Sequence, residues 1–272
     1  MHRFLILATT IFFVGASINP GIAQSDTEQR DTDVVQSVYL RTLSVDPSAN
    51  LVKNAQMAFD LAVRSYGATD SRTADMAVNL GRALNGTGQN AASIPLLESA
   101  LSIYADGGDD SDLRSAIAHY ELGIAHAGSN NAAAATASLT QAYAGLAPTF
   151  QRLSADTSYI RDALLKVGGQ EAVQAAKAKA ASTAPITRAQ PKPKLQIPPI
   201  YPPDESASGV DGWVLLDYRL WPDGSVRDVY ILAASPQNVF DISAAMALMQ
   251  WQFEAPSNPS AHNQLNVAFN AR

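Results

Sequence analysis

The spacing of apolar residues divides the chain into two parts with different predicted secondary structure. Between residues 34 and 181, apolar side chains recur every three or four positions and Gly and Asn mark the turns, which predicts helices throughout. From Tyr201 onward the period changes to two. Val214, Leu216 and Tyr218 alternate with their neighbours in the stretch GWVLLDYRLW, which is typical of a β-strand.

The helical part contains a repeat with a constant step along the sequence. Leu80-Gly81 recurs as Leu122-Gly123, and the same step leads from Ala58 to Ala100 and from Ala100 to Ala142. Small residues at such positions let antiparallel helices approach closely. Stacked helix pairs and a plain bundle of helical hairpins both explain the pattern. The shared register favours stacked pairs, and we therefore predict an all-α helical-repeat domain over residues 34–181.

The start of the chain predicts export. A basic N-terminus, Met1 to Arg3, precedes an apolar run over residues 4–16, which is shorter than the ~20 residues of a membrane-spanning helix. We expect residues 1–23 to be a cleaved signal peptide and residues 24–33 to be a flexible lead-in. An uncleaved anchor in the inner membrane, facing the periplasm, is the alternative. Both interpretations place the remainder of the chain in the periplasm.

The last third of the chain predicts a linker followed by a small α+β domain. Residues 182–199 carry five prolines and no helical period, which indicates a semi-rigid linker. In residues 200–272, Pro222-Asp223-Gly224 separates two strands, residues 240–251 have helical spacing, and residues 265–269 form a last strand. The order β-β-α-β predicts one helix packed on a small sheet, with the last strand at a sheet edge. The predicted fold class is therefore multidomain.

Composition and short motifs argue against several classes of function. The net charge of -6 and the pI of about 5.1 give no electrostatic reason to expect nucleic acid as a partner. The chain has no cysteine, which excludes thiol chemistry and thiolate metal sites. His119 and His126 lie on one predicted helix without an evident third ligand, so helix packing explains them better than a metal. No nucleophile elbow or phosphate loop occurs, and we expect no catalytic residue, cofactor or metal.

Two segments resemble known families. The stretch NLGRALNGTGQNAASIPLLESALSIY resembles a tetratricopeptide repeat in its Leu-Gly pair, central glycine and late Ala-Leu. The stretch that begins at Tyr201 with YPPDESASGVDGWVLLDYRLWPDGSVRDVYIL resembles the TonB C-terminal family. The positions that carry this second resemblance are Tyr201-Pro202, Gly209, Gly212, Asp223-Gly224, Val226, Ser235-Pro236, Phe240, Trp251 and Phe253.

The resemblance to the TonB C-terminal family implies a periplasmic domain that captures an extended segment of an outer-membrane transporter by strand addition to an exposed sheet edge. By position it implies two groups of partner-binding residues: Pro199, Tyr201 and Pro202 before the domain, and Leu265, Val267 and Phe269 in the last strand. For Tyr201, a ring that covers the sheet edge is an equally good interpretation.

Three functions follow as hypotheses, and all are non-enzymatic. The leading one is a periplasmic adaptor, in which the TonB-like domain binds a transporter or another envelope protein and the repeats bind a second protein in their groove. The second is a TonB-type energy transducer. That family's transducers carry a serine and, four residues later, a histidine in an N-terminal membrane helix, whereas this chain has Ser17 and Gly21. The third is an envelope-assembly scaffold that forms a homodimer through the C-terminal sheet edge.

Overall fold

The structure is a computed structural model that describes residues 20–43, 50–106, 113–153, 157–184, 191–202, 209–259 and 261–271. Its helical part comprises α1 (Pro20–Leu43), α2 (Leu51–Tyr66), α3 (Ser71–Gly86), α4 (Asn90–Asp106), α5 (Leu113–Gly128), α6 (Ala132–Leu153) and α7 (Ser158–Ala181). Its C-terminal part comprises β1 (Pro193–Leu195), β2 (Gly212–Leu220), β3 (Val226–Ser235), α8 (Asp241–Leu248), β4 (Gln252–Phe253) and β5 (Asn263–Phe269). None of the helices in these ranges has the length and hydrophobicity needed to cross a bilayer.

The helical part reproduces the repeat of the sequence in its architecture. The step from Ser71 to Leu113, the first residues of α3 and α5, equals the step between the two Leu-Gly pairs. The first residues of α4 and α6, Asn90 and Ala132, are related by the same step. Each helix packs against the next along the chain, and α3 also contacts α5. The structure therefore contains two successive helix pairs, α3–α4 and α5–α6, with the predicted period.

Equivalent glycines bring the two helices of each pair together. A Cβ atom on Gly81 would lie 2.8 Å from Leu97 Cδ2, and a Cβ atom on Gly123 would lie 2.6 Å from Leu139 Cγ. Leu97 and Leu139 are both fully buried, and the step between them is again that of the repeat. Because no side chain larger than hydrogen fits at either glycine without displacing the leucine, the Leu-Gly pairs are positions of close helix contact.

The turns inside the two pairs are also equivalent. Gly88 after α3 and Asn130 after α5 both have positive φ, at 76° and 61°. In each turn the next residue donates its backbone N–H to a carbonyl of the preceding helix, Gln89 to Leu84 at 2.8 Å and Asn131 to His126 at 2.9 Å. These left-handed residues end the first helix of each pair and reverse the chain, as glycine and asparagine do at helix C-termini.

The C-terminal part is built on a three-stranded antiparallel sheet in the order β3-β2-β5. The predicted turn between β2 and β3 is confirmed: Gly224 has a φ of 85°, and the Asp223 carboxylate accepts the backbone N–H of Ser225 at 2.8 Å. Helix α8 packs on one face of the sheet. Gly212 makes this possible, because a Cβ atom there would overlap the Phe240 ring.

Three local features differ from the sequence-based expectations. The segment 24–33, expected to be a flexible lead-in, is part of α1, which begins at Pro20. Inside the expected linker, β1 pairs with β4. The last helix ends at Leu248 and not at Trp251, because Gln250 and Trp251 donate to carbonyls three residues back and the chain then turns into β4. Of the expected signal peptide, residues 1–19 lie outside the described residues.

The central strand of the sheet, β2, is buried on both faces, and the helical part covers the second one. In β2 the consecutive residues 214–218 are all buried. Trp213, which alternates with Gly212, packs edge-on against Phe150 of α6 with ring centroids 5.6 Å apart. Tyr230 stacks on Tyr39 of α1 at 5.4 Å. One continuous hydrophobic core therefore joins the helical and C-terminal parts.

The outer edge of β3 is covered by side chains from the helices. Gln36 on α1 donates to the carbonyl oxygen of Val229 at 2.9 Å, and the backbone N–H of Ile231 donates to the Tyr39 hydroxyl at 2.9 Å. Arg82 on α3 donates to the carbonyl oxygen of Leu232 at 3.4 Å. These groups replace hydrogen bonds that a further strand would supply, so the edge of β3 is closed from Val229 to Leu232.

Two charged pairs are buried in this part of the molecule. Asp75 on α3 accepts the Tyr104 hydroxyl proton at 2.7 Å and lies 3.7 Å from Arg114 on α5. Burial raises the pKa of Asp75, and the nearby Arg114 only partly offsets this effect. In the sheet, His262 Nδ1 lies 2.6 Å from the buried Asp217 carboxylate. Such pairs limit the cost of removing these charges from water.

The close contact at Gly123 generates a stability prediction. We expect Gly123→Ala to lower the free energy of unfolding by about 1–2 kcal/mol, because overpacking outweighs the gain in helix propensity. The new Cβ would also lie 3.2 Å from the backbone nitrogen of Leu139, so rotation of the leucine side chain does not relieve the contact fully. Urea denaturation measures the change. The matched control is Gly86→Ala, where no atom lies within 4 Å and we expect a neutral or slightly stabilising effect. Equal effects of the two substitutions would contradict the close-contact interpretation.

The covered edge of β3 generates a second prediction. Tyr39→Phe removes the acceptor for the buried N–H of Ile231, and we expect the free energy of unfolding to fall by about 1–3 kcal/mol. Hydrogen exchange at the Ile231 amide is expected to accelerate more than exchange at Leu216 in the central strand. Tyr143→Phe, at a half-buried tyrosine on α6, controls for the general loss of a hydroxyl. Unchanged exchange at Ile231 would show that Tyr39 does not close this edge.

Candidate partner-binding edge

The other edge of the sheet is formed by β5. This strand pairs with β2 from Gly212↔Phe269 to Tyr218↔Asn263 without a register shift. No strand within the described residues pairs along its outer side. Because successive backbone groups of a strand alternate in direction, half of the N–H and C=O groups of β5 face away from β2. The strand therefore presents a regular edge on which a further strand can form hydrogen bonds.

The side chains of β5 differ in exposure along the strand. Leu265, Val267 and Phe269 alternate onto one face, where Phe269 is buried and stacks on Phe240 with ring centroids 4.4 Å apart. Leu265 and Val267 are half-buried, and Ala268 on the opposite face is exposed. Phe269 is thus a core residue, whereas Leu265 and Val267 keep part of their apolar surface accessible.

Tyr201 joins the segment before the domain to this end of β5. Its ring packs edge-on against Phe240 at 5.4 Å and against Phe269 at 6.3 Å. Its hydroxyl donates a hydrogen bond to the backbone carbonyl of Val210. These contacts support the interpretation of Tyr201 as a ring that covers the end of the sheet. Its contact with a partner stays a prediction.

The segment around Pro199 and Pro202 packs alongside α8 and the residues that directly follow this helix. Trp251 Nε1 donates to the carbonyl oxygen of Ile197 at 2.8 Å, and the Ser243 hydroxyl donates to the carbonyl oxygen of Ile200. Pro199 and Pro202 are half-buried, while Ile200 between them is 80% exposed. The two predicted groups of binding residues meet where the ring of Tyr201 contacts that of Phe269. Leu265 precedes Phe269 by four residues on β5, a distance of about 14 Å at ~3.4 Å per residue.

A polar pair at the opposite end of β5 was not expected from the sequence. His262, directly before the strand, contacts Asp217 of β2, whose side chain is only 1% exposed. Next to it, the Asn263 side chain donates to the carbonyl oxygen of Ala261 at 3.2 Å. The pair fixes the start of β5 against β2. Asp217 occupies a polar position in an alternating strand, a pattern that favours a solvent-facing carboxylate, so no sequence signal pointed to this contact.

The two edges of the sheet are therefore unequal. Side chains of α1 and α3 occupy the backbone groups of β3, while β5 keeps its outer backbone groups uncovered by any described strand. Such asymmetry directs any added strand to β5.

Comparison with known proteins finds similarity to a known family in the C-terminal part of the chain. Residues 197–271 match the family described as the Gram-negative bacterial TonB protein C-terminal. Protein TonB of Escherichia coli (strain K12) is 32% identical over 94 residues, which are 34% of this chain and 39% of that protein. Protein TonB of Yersinia enterocolitica is 36% identical over 69 residues, 25% of this chain and 27% of that protein. Protein TonB of Pseudomonas aeruginosa is 33% identical over 63 residues, 23% of this chain and 18% of that protein. This chain spans less than half the length of these relatives, and its C-terminal part is similar to the C-terminal part of TonB.

Proposed function

We propose that this protein is a non-enzymatic binding protein of the periplasm that captures an extended segment of an outer-membrane transporter, or of another envelope protein, as an additional strand on β5. The observation that carries the proposal is the outer edge of β5, with which no described strand pairs, in a domain similar to the C-terminal part of TonB. The backbone of the captured segment would supply the hydrogen bonds, and alternate side chains would meet Leu265 and Val267.

The physical basis is the geometry of strand addition. An added strand satisfies the outward N–H and C=O groups of β5 without disturbing its pairing with β2. Each such hydrogen bond contributes about 1 kcal/mol net, so several in succession give useful affinity with little dependence on side-chain identity. The half-buried Leu265 and Val267 add apolar contacts on one face, and Tyr201 and Phe269 bound the site at one end.

The adaptor hypothesis needs a second binding surface on the helical repeats. In this structure the faces of α1 and α3 that would line a groove contact β3 through Gln36, Tyr39 and Arg82. A second protein would therefore bind elsewhere on the repeats or displace the sheet. We propose that the groove of these tetratricopeptide-like repeats binds the chain's own C-terminal domain.

Two alternatives remain as proposals of lower rank. An energy transducer requires a membrane anchor at the N-terminus, where Ser17 lies outside the described residues and position 21 carries glycine. A scaffold that dimerises through β5 uses the same edge, with a second copy of the chain as the added strand. Both differ from the leading proposal in measurable ways.

Cysteine cross-linking tests strand addition to β5, because the chain has no native cysteine. The variant Ala268→Cys places a thiol on the exposed side of β5, and the probes are synthetic peptides from the N-terminal segments of outer-membrane transporters of the same organism, each with one cysteine. We expect disulfides to form at every second peptide position, since only alternate residues of an added strand face the same side. Methylation of the backbone nitrogens of one alternate set is expected to weaken binding at least about tenfold, through lost hydrogen bonds and steric conflict.

The matched control is Gln56→Cys on the exposed side of α2, which should form no periodic cross-links. Cross-links without a period of two, or equal yields from both variants, would contradict capture at β5. A disulfide dimer of Ala268→Cys in the absence of peptide would instead favour the scaffold alternative.

The N-terminus of the protein purified from its own host separates the binding protein from the transducer. We expect the mature chain to begin at Gln24 and to occur in the soluble periplasmic fraction, because the apolar run over residues 4–16 is too short to span a bilayer. Edman sequencing combined with membrane fractionation measures both properties. Retention of Met1 in the inner-membrane fraction would instead support the energy transducer.

A further inference from the structure

A cavity of about 300 Å³ lies where the helical part meets the end of β3. We call it the seam cavity, and its polar and aromatic lining includes Asn79, Arg82, Tyr120, Glu121, Tyr159 and Asp241. Its volume equals that of roughly ten water molecules at ~30 Å³ each, and lies at the lower end of the range for small-molecule sites. Gly86, Gln237 and Asn238 are exposed residues of the lining, so the cavity reaches the surface.

The seam cavity contains a buried carboxylate without a full set of partners. Asp241, at the start of α8, is only 5% exposed, and its Oδ2 atom has no hydrogen-bond partner among the described residues. Burial raises the pKa of Asp241 to about 6, and the positive charge of Arg82 only partly offsets this effect. An unpartnered buried carboxylate oxygen is costly, and a positive charge held in the adjoining cavity would offset part of that cost.

The other charged side chains of the cavity are hydrogen-bonded to groups other than the Asp241 carboxylate. Arg82 Nε donates to Glu121 Oε1 at 2.7 Å, and Arg82 also donates to the carbonyl oxygen of Leu232 at 3.4 Å. Asn85 donates to the backbone carbonyl of Glu121 at 2.9 Å. Arg82, Glu121 and Asp241 are the charged residues of this lining, and because Arg82 is paired with Glu121, the lining carries one excess negative charge when Asp241 is ionised.

The remaining lining suits a cation on an apolar body. Tyr120 and Tyr159 meet edge to face with ring centroids 5.0 Å apart, and both rings line the cavity. Aromatic faces attract ammonium and guanidinium groups. Leu43, Ile117 and Ile124 supply apolar surface beside them. An anion would meet the excess negative charge, and a purely apolar ligand would leave that charge unbalanced.

We propose that the seam cavity binds a small organic cation, an ammonium or guanidinium group on an apolar body, with Asp241 as its counter-ion. The ligand would contact α3 and α5 on one side and the β3–α8 segment on the other. The site is separate from the edge of β5, so its existence does not depend on strand capture.

Titration of the full chain with n-butylguanidinium tests the proposal, with butyrate and 1-butanol as anionic and neutral probes of similar size. We expect saturable shifts of the backbone amides at residues 237–244 in two-dimensional NMR spectra with the cation alone, together with an increase in Tm. Asp241→Asn is expected to weaken binding at least about tenfold. The matched control is Asp60→Asn on the exposed side of α2, which should leave binding unchanged.

A pH series on the unaltered protein provides a second measurement in case Asp241→Asn does not fold. Binding of the cation requires the ionised carboxylate, so the affinity is expected to fall as the pH drops through about 6, where Asp241 takes up its proton. Arg82 and Glu121 face the same space and are monitored through their side-chain signals. Equal responses to n-butylguanidinium and 1-butanol, or no loss of affinity down to pH 4.5, would overturn the proposal and leave a cavity filled by water.

Discussion

The backbone groups at the edge of β3 must be satisfied, and the way in which they are satisfied determines the arrangement of this molecule. Gln36 and Tyr39 lie three residues apart on α1, so their side chains project from one face of the helix and reach Val229 and Ile231 of the strand. A helix thereby replaces a neighbouring strand. With α1 held in this position, the second face of the sheet is buried against the helical part, and β5 is left as the edge without a described neighbour.

Burial of both sheet faces also explains why the two parts of the chain form one core. A three-stranded sheet with a single short helix buries little apolar surface, and a domain of this size is marginally stable alone. The stacking of Tyr230 on Tyr39 and of Trp213 on Phe150 extends the core across the interface. The helical part therefore stabilises the sheet.

The sequence predicted features that depend on local patterns, and it missed those that depend on contact between distant segments. The repeat could be found because Gly81 and Gly123 each face a leucine at the same spacing along the chain. The hairpin turn followed from Asp223 and Gly224, whose conformational preferences are local. The predicted end of α8 was wrong because Trp251 fits the helical period. In the structure Trp251 lies beyond the helix, and its indole N–H donates to the backbone carbonyl of the distant residue Ile197.

The interface between the two parts had no comparable signal. Gln36 and Tyr39 are ordinary residues of an amphipathic helix, and nothing in their spacing names β3 as their neighbour. Leu215 interrupts the alternation of β2 and is the one local hint that both faces are buried. The candidate edge itself was predicted, since the order β-β-α-β leaves the final strand of this domain at a sheet edge. The conclusion that it is the accessible one depends on contacts between segments far apart in sequence, such as the hydrogen bond from Ile231 to Tyr39.

The two proposed sites differ in how their occupation would affect the contact between the helical part and the sheet. A strand added to β5 leaves the contacts of α1 with β3 intact, so capture at this edge carries no cost of separating the two parts. A protein that enters the groove must first break the hydrogen bonds of Gln36 and Tyr39 and expose the rings beneath them, which opposes its binding. The seam cavity is lined from both parts, so a ligand bound there favours the closed arrangement. By linkage it disfavours groove binding to the same extent, while strand addition at β5 is left unaffected.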